Sequence, residues 1–216
     1  MSDNDPTTGR FIAIEGVDGA GKGVQSRRLR DELQGSGVDV VLTREPGGSP
    51  GAEEIRNLLV QGAAERWDAM TELLLIYAAR RDHLTKTILP ALNAGRWVIS
   101  DRFADSSRAF QGLAGGLGLD TVDAVHAQVV GKFAPDLTIV LDLDPEQSLA
   151  RTVARGGHED RFEKKGLVYQ QRVREAFTQL ARRSPRTHVL IDAARSVDEV
   201  AHDVLRVVAE RFGLAE

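Results

Sequence analysis

The segment Phe11 to Gly23 constrains this chain more than any other. Phe11 to Ile14 is a short apolar run, the pattern of a parallel strand buried on both faces. Gly16, Val17, Asp18, Gly19, Ala20 and Gly21 follow as a glycine-rich turn. Lys22 then opens a helical pattern carried on by Gln25, Leu29 and Leu33. Strand, G-x-x-x-x-G-K, helix is the pattern of a phosphate-binding loop. Glycines let successive backbone N–H groups turn toward an anion, the new helix adds its positive dipole end, and Lys22 brings a point charge. The pattern ordinarily closes on Ser or Thr, whose hydroxyl ligates Mg²⁺. Here that position is Gly23, and the neighbouring Val24 cannot substitute. The gap puts the metal site in question and leaves the phosphate site intact; the alternative is a strand–helix turn that binds nothing.

With 216 residues the chain suits one domain with a full core. Its 28 Lys and Arg against 32 Asp and Glu give a net charge of −4, which argues against bulk nucleic-acid binding. There is no cysteine, so disulfides, thiolate catalysis and Cys-ligated zinc are excluded. No apolar run approaches a membrane span and no charged-then-apolar leader precedes the first strand, so a soluble cytoplasmic protein is expected. His83, His126, His158, His188 and His202 lack metal-ligand spacing and read as surface or structural residues.

Residues 1–9 read as a mobile polar tail, and residues 10–216 as a single domain. Gly35-Ser-Gly37 stops the first helix, and Val38 to Thr43 is a second strand. It runs into Arg44-Glu-Pro-Gly-Gly-Ser-Pro50, a dense turn at the strand end where open α/β sheets bind ligands. Pro46 is a candidate for a cis peptide. Ala52 to Val60 is a short amphipathic helix, and Trp67 to about Asn93 a longer helical stretch interrupted near Pro90. Its Leu73, Leu74, Ile76, Tyr77 and Leu84 read as core, whereas Arg80, Arg81 and Asp82 read as a solvated face.

Trp97 to Ser100 is the third strand and closes on Asp101-Arg102-Phe103. There Asp can hold Mg²⁺ directly or through water and Arg can grip a phosphate; the alternative is a surface ion pair. A helical stretch starts at Ser106, Gly112 to Gly118 reads as a flexible loop, and a helix follows from Asp120 to Lys132. Leu137 to Asp142 and His188 to Asp192 are the fourth and fifth strands, with helices from Pro145, from Leu167 to Arg183 and from Ser196 to Arg211. Alternating strands and helices predict an α/β, three-layer fold with a parallel sheet of about five strands flanked by helices. Residues 151–165 hold five Lys or Arg against three Asp or Glu around a glycine pair, which suits either a lid closing on phosphates or a solvated loop.

Together Glu15 to Lys22, Thr43 to Gly48, Tyr77 to Arg80, Asp101 to Phe103, Ser106 to Gly112 and Pro135 to Asp142 resemble the thymidylate kinases of bacteria. The likeness spans nearly the whole chain and implies the P-loop NTPase fold, transfer of the ATP γ-phosphoryl group to dTMP, a Mg²⁺ cofactor and a homodimer, without nucleic-acid or membrane partners. It implies ATP contacts from Gly16 to Val24 and from Arg151. It places Asp18, Arg44, Glu45, Ile76, Arg80, Arg102, Ser106, Ser107, Phe110 and Gln111 around dTMP. Within that set Arg80 would meet thymine, and Asp18 would lie near the 3′-hydroxyl and phosphate. Lys22, Arg102 and Asp101 would act in transfer, with Asp101 organising the metal. Gly19 stands where one subgroup carries an arginine; its absence implies that the lid supplies Arg155 and Arg161 instead. The chain departs from the family at Gly23, at Ile76 where a stacking phenylalanine is usual, and at Phe110 where a tyrosine is expected beside the sugar. These departures keep two alternatives open: a kinase for another deoxynucleoside monophosphate, and a catalytically weakened nucleotide-binding protein.

Overall fold

The computed structural model describes residues 9–63, 65–155 and 165–214, and of residues 152–155 the backbone alone. Five strands, β1 (Phe11–Gly16), β2 (Val40–Arg44), β3 (Trp97–Asp101), β4 (Leu137–Asp142) and β5 (His188–Asp192), form one parallel sheet in the order β2-β3-β1-β4-β5. The register sets Ile14 beside Asp101 and Arg44 beside Asp101 on its other flank, so the ends of β1, β2 and β3 lie side by side. The chain passes from β1 to opposite sides of the sheet in its two halves, which opens a crevice at the carboxyl ends.

Alternation along β1 divides the core in two. Ile12 and Ile14 face one layer with Leu29 and Leu33 of α1 (Lys22–Gly35), Val173 and Phe177 of α8 (Leu167–Arg183), and Val200, Val204 and Val208 of α9 (Val197–Phe212). Phe11 and Ala13 face the other, with Leu73 and Tyr77 of α3 (Ala69–His83). Ser196 caps α9 in a reciprocal arrangement with Glu199. Helix α2 (Pro50–Val60) packs on α3, and α7 (Pro145–Arg155) on α8.

The long helix is interrupted just ahead of Pro90, as expected: it widens into a π-helical turn, Leu84–Ile88, and resumes as α4 (Leu89–Asn93). Pro90 thereby falls in the first turn of α4, where its missing N–H leaves nothing unpaired. Gly112 to Ala114 do not belong to a loop, because α5 (Ala104–Ser107) leads into a second π-helical segment, Arg108–Ala114, ahead of α6 (Leu119–Val129). Leu74 points to solvent at 54% exposure, while Arg80 is buried at 1%. The inward stripe of this helix is Leu73, Tyr77, Arg80 and Leu84, so one cation takes a core position. Residues 1–8 of the expected tail and 156–164 of the expected lid lie outside the described residues.

Candidate active site

The turn after β1 places its glycines where no other residue fits. Gly16 has φ +135°, and a Cβ there would lie 2.4 Å from the Leu141 carbonyl oxygen. Gly21 precedes α1 in the left-handed region, and α1 starts at Lys22 beneath the loop. Lys22 is buried, and its Nζ donates to the Val17 carbonyl at 2.7 Å. Burial, and then the charge of Arg102, bring its pKa down to about 8, against the pull of Asp101, Asp18 and Glu15. Ser148 of α7 donates to the Asp18 carbonyl, tying the loop to the opposite half of the sheet.

Across the crevice, Arg102 follows β3 with φ +75°, a conformation that costs a non-glycine residue energy and is held by its surroundings. Its N–H donates to the Ile14 carbonyl, and its guanidinium donates to the Gly16 carbonyl and to Ser106 Oγ, each at 3.0 Å. It also donates to Asp18 Oδ1 at 2.6 Å and lies 5.0 Å from the Phe110 ring centroid. The cation expected on the acceptor phosphate is thus fastened to the loop expected to hold the donor.

Glu15 is the residue whose role the sequence did not disclose, although a carboxylate inside a buried strand is itself the signal. Fully buried, it accepts from the Phe103 N–H at 2.8 Å, from the Ser106 N–H at 3.1 Å and from Ser106 Oγ at 2.6 Å, fixing the turn after β3. Burial pushes its carboxyl up to about 7, and the Asp105 charge adds to this against Arg102 and those hydrogen bonds.

A second buried network supports the next face. Arg80 donates to Glu45 Oε2 at 2.7 Å, to Ser107 Oγ at 3.0 Å and to the Phe103 carbonyl at 2.9 Å. His83 lies 3.1 Å from Glu45 Oε1 through Nδ1 and 2.7 Å from Thr43 Oγ1 through Nε2. With the proton on Nδ1, it donates to Glu45 and accepts from Thr43. Burial works against the Glu45 charge, but Arg80 and His83 outweigh it and hold the carboxyl below its ordinary value. The Glu45–Pro46 peptide is cis. Arg44 does not join this cluster: it is exposed at the rim and pairs with Glu53 at 3.1 Å.

Gln111 is buried beside Phe110. Its Nε2 donates to Glu72 Oε2 at 3.1 Å, while its Oε1 has no hydrogen-bond partner among the described residues. Lys165 donates to the other Glu72 oxygen at 2.8 Å, so the segment after residue 164 returns to this corner. Ile76 is half-buried. On the donor side Val24 is exposed, and Arg151 reaches the Ala193 carbonyl at 3.2 Å. Arg161 and the Arg155 side chain lie outside the described residues.

A Cβ at Gly23 would stand 3.3 Å from Asp101 Oδ2 and 3.5 Å from Arg27 Nη1. The place of the usual hydroxyl therefore faces a carboxylate. No group of three or more His, Asp or Glu side chains suited to a metal occurs among the described residues. One carboxylate beside a phosphate site still fits Mg²⁺, which keeps several waters and takes substrate phosphates as ligands. No described helix is long and apolar enough to cross a membrane.

Comparison with known proteins agrees with this geometry. The thymidylate kinase family model matches residues 14–204. A thymidylate kinase of Ruegeria pomeroyi is 54% identical over 201 residues, covering 93% of this chain and 95% of its own. One of Caulobacter vibrioides is 51% identical over 208 residues, covering 96% and 100%. The crystal structure of thymidylate kinase from Ehrlichia chaffeensis superposes with a TM-score of 0.75 at 33% identity, covering 93% of this chain and 99% of that one. A parallel five-stranded sheet, a phosphate loop under its edge and full-length likeness at this level make the chain a member of the thymidylate kinase family.

Proposed function

We propose that the protein transfers the γ-phosphoryl group of ATP to dTMP, giving dTDP and ADP. The observation that carries this reading is Arg102, pinned to Gly16 and Asp18 of the phosphate loop. A guanidinium there brings the acceptor phosphate in line with a donor held by Lys22 and the loop amides, and Asp18 sits at the junction. The acceptor phosphate is already ionised, so positioning and charge neutralisation carry the rate without a strong general base. Asp101 would hold Mg²⁺, directly or through water, and the ion when bound would neutralise charge on the donor phosphates.

Base recognition follows from Gln111. Because Glu72 is acceptor-only and takes the Gln111 NH₂, the amide orientation is fixed and Oε1 is left as a buried acceptor without a partner among the described residues. The N3–H of thymine supplies the missing donor, whereas cytosine has none at N3. Ile76 covers the base with an aliphatic chain, and Arg80 acts from below by holding Glu45 and Ser107 in place. Arg44 lines the rim of the acceptor side, and Arg151 the donor side. The lid, residues 151–165, supplies Arg155 and Arg161 on closure. A second copy of the chain covers the exposed Leu58, Met70 and Leu74 of α2 and α3, and the enzyme works in the cytoplasm without nucleic acid. The relatives do not favour another monophosphate or a weakened binding protein.

The test is ADP formation from ATP and Mg²⁺ with dTMP, dUMP, dCMP and dGMP in parallel. Turnover should be greatest with dTMP, with dTDP as product. A stronger response to dCMP or dGMP, or ADP formation indifferent to every monophosphate, refutes the reading.

A further inference from the structure

Arg27 lies one turn beyond Gly23 on α1, and helical side chains lean toward the N-terminus, here toward the loop. Its Nη1 reaches to 3.5 Å from the point a Gly23 Cβ would occupy, and Asp101 Oδ2 comes to 3.3 Å of the same point. Arg27 has no hydrogen bond or ion pair among the described residues, and neither does the Asp101 carboxylate. Arg28, the next residue, is instead paired with Asp198 at 2.6 Å. With no side chain at Gly23, a carboxylate and a guanidinium, neither hydrogen-bonded among the described residues, both approach the start of the helix.

Those two groups are not equivalent toward a polyphosphate. The carboxylate needs a cation between itself and the phosphates, while the guanidinium binds phosphate oxygens directly through paired N–H groups. We propose that Arg27 is a direct ligand of the donor nucleotide's phosphates. Arg27 thus supplies, from the next turn of the same helix, a hold on phosphate where the usual pattern places a hydroxyl. This inference rests on ATP being the donor, as proposed above.

The test is isothermal titration of the full-length protein with ATP in excess EDTA, so that binding is read without metal and without turnover. Arg27→Ala should weaken ATP binding about tenfold, with dTMP affinity and melting temperature unchanged. Arg27→Lys should recover part of the loss, and AMP, which lacks the β and γ phosphates, should bind both forms alike. Arg28→Ala removes the same charge and should bind ATP like the wild type. Unchanged ATP affinity in Arg27→Ala overturns the assignment. So does an equal weakening of ATP and dTMP binding with a lowered melting temperature, which would mark Arg27 as structural. Failure of the wild type to bind ATP at all is a different result, and refutes the donor reading itself.

Discussion

Lys22 is held in a state that only a bound anion relieves. Its pKa falls from 10.5 to about 8, chiefly through burial and then through Arg102. That fall corresponds to roughly 3 kcal/mol by which the folded, ligand-free site disfavours the charged amine. One phosphate charge about 3 Å from Nζ returns roughly 5 kcal/mol at an effective dielectric constant near 20, enough to restore the charge completely. ATP binding should therefore take up a proton. At pH 7 about a tenth of the free protein has a neutral Lys22, and at pH 9 about nine-tenths does. Titration calorimetry with ATP at saturating Mg²⁺, in two buffers of different ionisation enthalpy, should report about 0.1 proton taken up at pH 7 and about 0.9 at pH 9. The apparent affinity should fall roughly tenfold per pH unit above 8. The nucleotide contributes little to this, because a terminal phosphate loses its last proton at about pH 6. Lys22→Arg, which stays charged, should show no uptake. The sign for folding is opposite to that for binding: between about 8 and 10.5 the unfolded chain keeps a proton the folded one has lost, so the free protein gains stability as pH rises. Zero uptake at pH 9 with unchanged affinity would refute the argument that Lys22 is desolvated and relieved by phosphate.

Glu45→Gln leaves the Arg80 cation buried without its counter-charge and should cost about 3 kcal/mol or more in urea denaturation at pH 7. Because the Glu45 pKa is lowered, the difference from wild type should shrink as pH falls through that depressed value. Asp101→Asn should raise the Mg²⁺ concentration for half-maximal rate by at least about tenfold, while dTMP affinity measured without metal stays unchanged. Glu72→Gln frees the Gln111 amide to rotate, so KM for dTMP should rise about tenfold and the preference for dTMP over dCMP should narrow. An intact preference would show that the orientation of Gln111 is set elsewhere.

Local pattern and tertiary pairing contributed differently to this protein. The five strands, the glycine-rich turn and the helix behind it were legible because each is written in neighbouring residues: apolar runs of strand length, glycines at a turn, inward residues at helical spacing. Those signals carried the parallel sheet, the phosphate loop and the family. Gly112 misled, because a π-helical segment absorbs it, and that accommodation depends on what packs against the helix. Leu74 and Arg80 exchanged expected places because the partner of Arg80 is Glu45, 35 positions earlier, and no helical periodicity encodes it. Glu15 could be noticed in sequence as a charge in a buried strand, but its purpose lies in Phe103 and Ser106, brought to it by the pairing of β1 with β3. The same holds at Gly23. Sequence registers a missing hydroxyl; only the fold brings Asp101 and Arg27 to that position, because a side chain's direction and its through-space neighbours are fixed by packing.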